Sequence, residues 1–349
     1  MPTSTVTILR GQEAISRLRT HPPEHHQNQD QRVDRGSSPV SVLAWDNRER
    51  LSRRLSLMVA PKVTVMPIRR ADAGEVGDFL HCHLNARVSS ERWARVIDTG
   101  WPEPVANHGF RLVSGGETVG IYAAVYSERD LGGEDSVVIC NLAAFCVLRE
   151  FRSHGFLLVR ALLAQRGLEF TDLSPSGSVV AMNERLGFKM ADTATAIVGN
   201  WPRSHRQSNV RITSGDTIEF PDIASVRDVK IYRDHRDAPA ARHLFVESGE
   251  SYAYLIFRRD RRKGLPLFAS PLYVGGDRRL LKSAWKGVSA HLFTRYKLPA
   301  TLAERRVLGF TPPGPSFELS SPRPKMFRGR VIDSTSMDYL YSELMLVEW

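Results

Sequence analysis

Cysteine is scarce: the 349-residue chain has three, Cys82, Cys140 and Cys146, odd in number and scattered. That excludes a disulfide framework, and no partner residues stand at ligand spacing for a zinc site, so no metal is expected. No apolar run reaches the roughly 20 residues of a membrane-spanning helix, and the N-terminal residues show no signal-peptide core. The expectation is a soluble protein of a reducing cytoplasm with no membrane span. Acidic excess is also missing: 48 Lys and Arg against 38 Asp and Glu, with His neutral, leave a net charge of +10. That balance suits anionic partners, nucleic acid and membrane surfaces among them.

The length is comfortable for two domains. Residues 1–61 read as a disordered leader, because a stretch such as THPPEHHQNQDQRVDRGSSP has too few large apolar side chains to offset its ordering entropy. His21, His25 and His26 lie there with no Cys or clustered acid to complete a metal site, and NRERLSRRLSLMV (47–59) reads as a short basic amphipathic helix.

From Val63 the patterns sharpen. VTVMPIRR reads as a strand, ADAGEVGDFLHCHLN as a helix with Val76, Phe79, Leu80, His83 and Leu84 at helical spacing, and SSERWARVIDTGW as a second helix capped by Ser89 or Ser90. HGFRLVSGGETVGIYAAVYS is a hairpin turning at Gly115-Gly116. The run Val137 to Leu148, interrupted only by Asn141, lacks polar alternation and is expected in mid-sheet, buried on both faces. A basic turn, Arg149 to Gly155, then opens a helix. Free backbone N–H groups and the helix dipole make such a corner a phosphate cradle, with charge from Arg149 and Arg152. LEFTDLSPS is a strand, SGSVVAMNERLGF a helix ending at Gly187, and KMADTATAIVG a further strand.

Arg152-Ser153-His154-Gly155-Phe156-Leu157 resembles the [QR]-x-x-G-x-[GA] signature of the GNAT superfamily, the acyl-CoA-dependent N-acyltransferases, with Leu157 in place of the last Gly or Ala. Ser178 to Phe188 is similar to that family's late motif, N-x-x-A-x-x-x-Y-x-x-x-G-F, with Glu184-Arg185-Leu186-Gly187-Phe188 in place and Asn183 at the Tyr position. The order β-α-α-β-β-β-α-β-α-β is that of the family.

The resemblance implies an α/β (α+β) fold, a GNAT-like mixed central sheet flanked by helices, over residues 62–200. It also implies direct transfer of an acyl group from acetyl-CoA, or another acyl-CoA, to a small-molecule or protein amine. Phe145, Cys146 and Val147 would pair with the pantetheine arm, and Arg152, Ser153, His154, Gly155, Phe156 and Leu157 would hold the pyrophosphate. Three residues are candidates for catalysis. Asn141, polar in a buried strand, either orients substrate or makes a core hydrogen bond. Glu150 is a base or a surface residue. Asn183 can donate a hydrogen bond to sulfur but has no proton to give up.

Residues 201–212 read as a linker, and 213–349 as a second α/β domain whose hairpin–strand–helix–strand order suggests a degenerate GNAT-like copy. Its corner, Gly275-Gly276-Asp277-Arg278-Arg279, lacks the spacing of the first. YLYSELMLVEW is a last strand or a docked terminal segment. Leu157 and Asn183 also allow a GNAT-fold protein that binds without catalysing. The run Arg258-Arg259-Asp260-Arg261-Arg262-Lys263 allows a tRNA-dependent or nucleic-acid-associated protein, with no nucleic-acid motif beside it. The oligomeric state is open.

Overall fold

Two seven-stranded mixed sheets, built to one plan, carry the structure, a computed structural model that describes residues 62–348 except 103, 132–135, 203–208, 216–217 and 221. The expected leader, with its three histidines and the 47–59 segment, lies outside the described residues.

The first sheet begins with β1 (Val63–Pro67), then α1 (Ala73–His83) and the short α2 (Ser90–Ala94). Ser89 caps α2 by accepting from the Arg92 amide, as its place before the apolar stretch leads one to expect. β2 (Gly109–Ser114) and β3 (Glu117–Arg129) form the hairpin, turned by Gly115 and Gly116 at φ of 62° and 91°, where only glycine sits without strain. β4 (Val137–Val147) lies in mid-sheet beside β5 (Leu168–Asp172). Between them run a 3-10 turn, Arg149–His154, and α3 (Gly155–Leu163). α4 (Gly177–Arg185) follows, and Gly187 ends that stretch at φ 84°.

The stretch expected as one strand, KMADTATAIVG, divides. β6 (Lys189–Met190) stays in the first sheet, whereas β7 (Thr195–Gly199) enters the second. Between them the Asp192 carboxylate accepts from the Ala194 amide, a local turn that competes with strand pairing. The second sheet continues through β8 (Arg211–Ser214), α5 (Val226–His235), β9 (Arg242–Ser248), β10 (Ser251–Arg262) and β11 (Leu265–Gly276). The stretch RRLLKSAWKGVSAHLFTRY, whose apolar residues fall at helical spacing, is broken at Ala284 into α6 (Arg278–Ser283) and α7 (Trp285–Tyr296), with Leu281, Trp285, Val288 and Leu292 all buried. Then come β12 (Ala300–Glu304), α8 (Arg305–Leu308), β13 (Ser316–Glu318), β14 (Met326–Arg328) and α9 (Glu343–Leu346).

The first sheet runs β1-β2-β3-β4-β5-β14-β6 and the second β8-β9-β10-β11-β12-β7-β13. In both, the fourth and fifth strands are parallel and every other neighbour is antiparallel. The sixth strand is exchanged: β7, from the first half of the chain, completes the second sheet, and β14, from the second half, completes the first. Sheet membership therefore does not follow a cut at 200–212.

One face of the first sheet packs on α3 through Leu158, Val159 and Leu162. The other face packs on α1, and that core runs without a break into the second sheet. The terminal segment lies in this continuous core: Tyr339, Leu340, Leu344, Met345, Leu346 and Val347 are buried. Its backbone is held by the Arg129 guanidinium on the Leu340 carbonyl (3.5 Å) and the Ala240 amide on the Met345 carbonyl (2.9 Å).

Candidate functional site

β4 and β5 pair in parallel from Val138/Leu168 only as far as Asn141/Thr171. Beyond that point β4 runs on from Leu142 to Val147 with no partner on its β5 side among the described residues, so the sheet forks. Opposite β3, Ala123 faces Ala144 while Ala124 faces Leu142, which leaves Ala143 as a bulge that re-aims the strand at the fork. The fork exposes one edge of β4 to any extended group laid against it.

Of the residues expected at a cofactor, Phe145, Cys146 and Val147 form the end of that free edge and are half-buried. Phe145 and Val147 turn toward α3. An added Cβ on Gly155 would stand 3.2 Å from Phe145 Cζ and 3.5 Å from Val147 Cγ2, so glycine lets the helix start close to the strand. Arg152 and Ser153 are exposed at the corner and His154 is half-buried, with Ser153 Oγ and His154 Nδ1 3.4 Å apart. Burial pushes the Cys146 thiol up, while the Arg152 charge pulls it down. Phe156 is 61 % exposed, and Leu157 packs on the α3 core. The corner is tighter than a free helix start: the Phe151 amide donates to the Leu148 carbonyl (2.9 Å) and the Gly155 amide to that of Arg152.

The three catalytic candidates fall in two places. Glu150 is exposed on the turn. Asn141 and Asn183 are both buried and belong to one polar cluster beside the fork. Asn141 donates to Glu343 and accepts from Thr171 Oγ1 (3.0 Å), so both its amide nitrogen and its amide oxygen are engaged in the core. Asn183 donates to Asp172 Oδ2 (2.8 Å), and Ser174 Oγ donates to Glu343 Oε1 (2.7 Å). Two carboxyl groups, Asp172 at the end of β5 and Glu343 at the start of α9, thus share one buried region. Burial, with Glu343 nearby, pushes Asp172 up to about 7, despite the hydrogen bond from Asn183. Burial also raises Glu343.

Sequence reasoning missed Asp172 and Glu343. Asp172 ends a strand, where an acid is unremarkable. Glu343 did carry a signal: a carboxylate inside YLYSELMLVEW must find partners if that segment docks.

Between α3 and α4 lies a crevice too narrow to hold a water molecule, lined by Tyr122, Leu142, Val159, Leu162, Asn183 and Phe188 among others. Tyr122, from β3, lines it together with Asn183, and burial holds the Tyr122 phenol protonated by raising it well above the ordinary value. Among the described residues no group of three or more His, Cys, Asp or Glu is placed to hold a metal ion. None of their helices is long and apolar enough to cross a membrane.

The corresponding corner of the second half differs. Asp277 caps α6 by accepting from the Arg279 amide (2.7 Å), and an added Cβ on Gly275 would lie 2.2 Å from an Asp228 carboxylate oxygen. Two acids at that corner disfavour a phosphate on the backbone amides that open α6. The basic run on β10 is also divided by strand alternation: Arg258 and Asp260 are buried, and Arg259 pairs with Glu348 at 3.1 Å.

No family model matches the chain, and no curated protein matches it. Among solved structures it is similar to a GCN5-related N-acetyltransferase from Anabaena variabilis, at 12 % identity and a TM-score of 0.53, over 76 % of this chain and 72 % of that one. It is also similar to a GCN5-related N-acetyltransferase from Kribbella flavida, at 14 % identity and a TM-score of 0.45, over 77 % and 71 %. A third is Arabidopsis thaliana NAA60, solved with acetyl-CoA, at 12 % identity and a TM-score of 0.28, over 40 % of this chain and 92 % of that one. Only the first of these three exceeds 0.5, and it establishes the fold.

Proposed function

We propose that this chain, which has the GNAT fold, is an acyl-CoA-dependent N-acyltransferase that passes an acyl group directly to an amine. The observation that carries the reading is the forked edge of β4, with its bulge at Ala143, running into the basic corner at Arg152. An extended thioester arm fits such an edge as an added strand, and its anionic end falls where the α3 dipole and Arg152 favour negative charge.

The residues present suit the chemistry. Asp172, poised near neutrality, takes a proton from the incoming ammonium group so that nitrogen can attack the thioester carbonyl. An N–H on the free edge of β4 polarises that carbonyl. The Tyr122 phenol, not residue 183, returns a proton to the departing sulfur. Asn183 holds Asp172 in place.

Two experiments test this. Acetyl-CoA should raise the melting temperature, by a shift that grows with its concentration. Free thiol should then be released from acetyl-CoA in the presence of a suitable amine, and a panel of amino acids, polyamines, amino sugars and peptides would identify the class. The narrowness of the crevice favours a second reading, a GNAT-fold protein that binds without turnover. A thermal shift with no thiol release from any amine would select it.

A further inference from the structure

The second sheet forks as well. β11 and β12 pair only at Phe268/Ala300 and Ala269/Thr301, after which they diverge. A cleft of about 330 Å³ opens beside the diverging strands, reached by β11 at Leu272–Val274, α6 at Arg278 and α8 at Arg306. Arg227 of α5 closes one side, and the hairpin end at Asp130 and the segment ending at Asp338 close the others.

The charges in this cleft are not balanced from within. Asp338 is held by Arg129, and Arg306 by Glu304 at 3.1 Å and by Tyr339. Asp130 also has a partner. Tyr273 donates to Asp228 (2.6 Å). Arg227 and Arg278 have no carboxylate partner among the described residues. Arg278 is anchored through Nη1 on the Val307 carbonyl (2.7 Å), over Gly309, where an added Cβ would come within 2.8 Å of that nitrogen. Arg306, whose side chain is only 9 % exposed, keeps its Nε buried without a hydrogen-bond partner. A cleft of this size that holds guanidinium groups without counter-charge is matched to an anion, because guanidinium presents paired donors to a carboxylate or phosphate.

We propose that this cleft is a second ligand site, for a small molecule bearing a carboxylate or phosphate group, held by Arg227 and Arg278 with Arg306 behind them. It is separate from the first fork and does not depend on the acyltransferase reading. Its floor, Thr335 to Asp338, belongs to the same chain segment that delivers Glu343 to the polar cluster.

The test is calorimetric and thermal titration of the full chain with inorganic phosphate and with malonate, at ionic strength held constant with chloride. Wild type should bind at least one of the two, and the one that binds tells phosphate from carboxylate. The double variant Arg227→Gln/Arg278→Gln should lose at least tenfold in affinity for it. Arg279→Gln, a charge change just outside the cleft, should bind as wild type does, and an unliganded melting temperature for each variant confirms folding. Acetyl-CoA titrated into the double variant should give the wild-type shift, which separates this site from the first fork. Equal affinity in wild type and double variant, or no binding of either anion to wild type, overturns the proposal. So does displacement of the bound anion by acetyl-CoA, which would assign the cleft to the cofactor.

Discussion

Replacing Asp172 with Asn tests the polar cluster through its linkage to folding. Burial beside Glu343 lifts this carboxyl from the ordinary 3.8 to about 7. Between those values the unfolded chain has released its proton while the folded chain retains it. The folded state binds more protons, so stability must fall as pH rises: it is fully present below about pH 4 and lost through about pH 7. Each pH unit in the window removes about 1.4 kcal/mol, and the whole interval on the order of 4 kcal/mol. In wild type Asp172 accepts from Asn183 and from the Ser174 amide. The amide of Asp172→Asn can keep only one of these acceptor roles, a pH-independent loss of about 1 kcal/mol. The variant should therefore be slightly less stable than wild type at about pH 4 and more stable by roughly 3 kcal/mol at about pH 8. Urea unfolding of both proteins across that range measures it, and the difference between the two curves removes every group they share. A difference that stays flat with pH would mean that Asp172 is ionised in the folded protein, and its role as a base poised near neutrality would fall with it.

Other expectations use single sites. Arg152→Ala should weaken acetyl-CoA binding about tenfold, read from the thermal shift, with little change in unliganded stability, because the side chain is exposed. Glu343→Ala strips the acceptor from Asn141 and Ser174 inside the core, so it should cost about 3 kcal/mol or more in chemical denaturation, whereas Glu343→Gln should cost less. Under a thiol-reactive dye, exposed Cys82 should label at once, and Cys140, buried with its thiol pushed up to about 12, only on unfolding. Cys146 should label slowly and be protected by acetyl-CoA; equal rates with and without it would count against the β4 edge as the binding surface.

Local signals carried much of the first half into view. The Gly115-Gly116 turn, the Ser89 cap, the unbroken apolar β4 and the glycine at 187 each report a backbone need that a few neighbouring residues express. What stayed hidden depends on distant partners. Nothing near residues 189–199 says that the stretch will divide between two sheets, because the strands that receive β6 and β7 come more than a hundred residues later. Asp172 is likewise ordinary until α9 brings Glu343 to it, and the fork is visible only as the point where two strands stop pairing. Asn141 was recognisable as a residue needing partners and Asn183 as a donor to sulfur, but not as members of one cluster.

The traded strands bear on how the protein is made and unmade. A ribosome that has released residues 62–200 has produced a sheet still missing β14, together with a β7 that has nowhere to pair. Neither half can reach its own energy minimum in isolation, so the two must mature as one cooperative body, and late in synthesis. Anyone hoping to express the first half alone as a minimal folded unit would need to graft a substitute for β14 onto it.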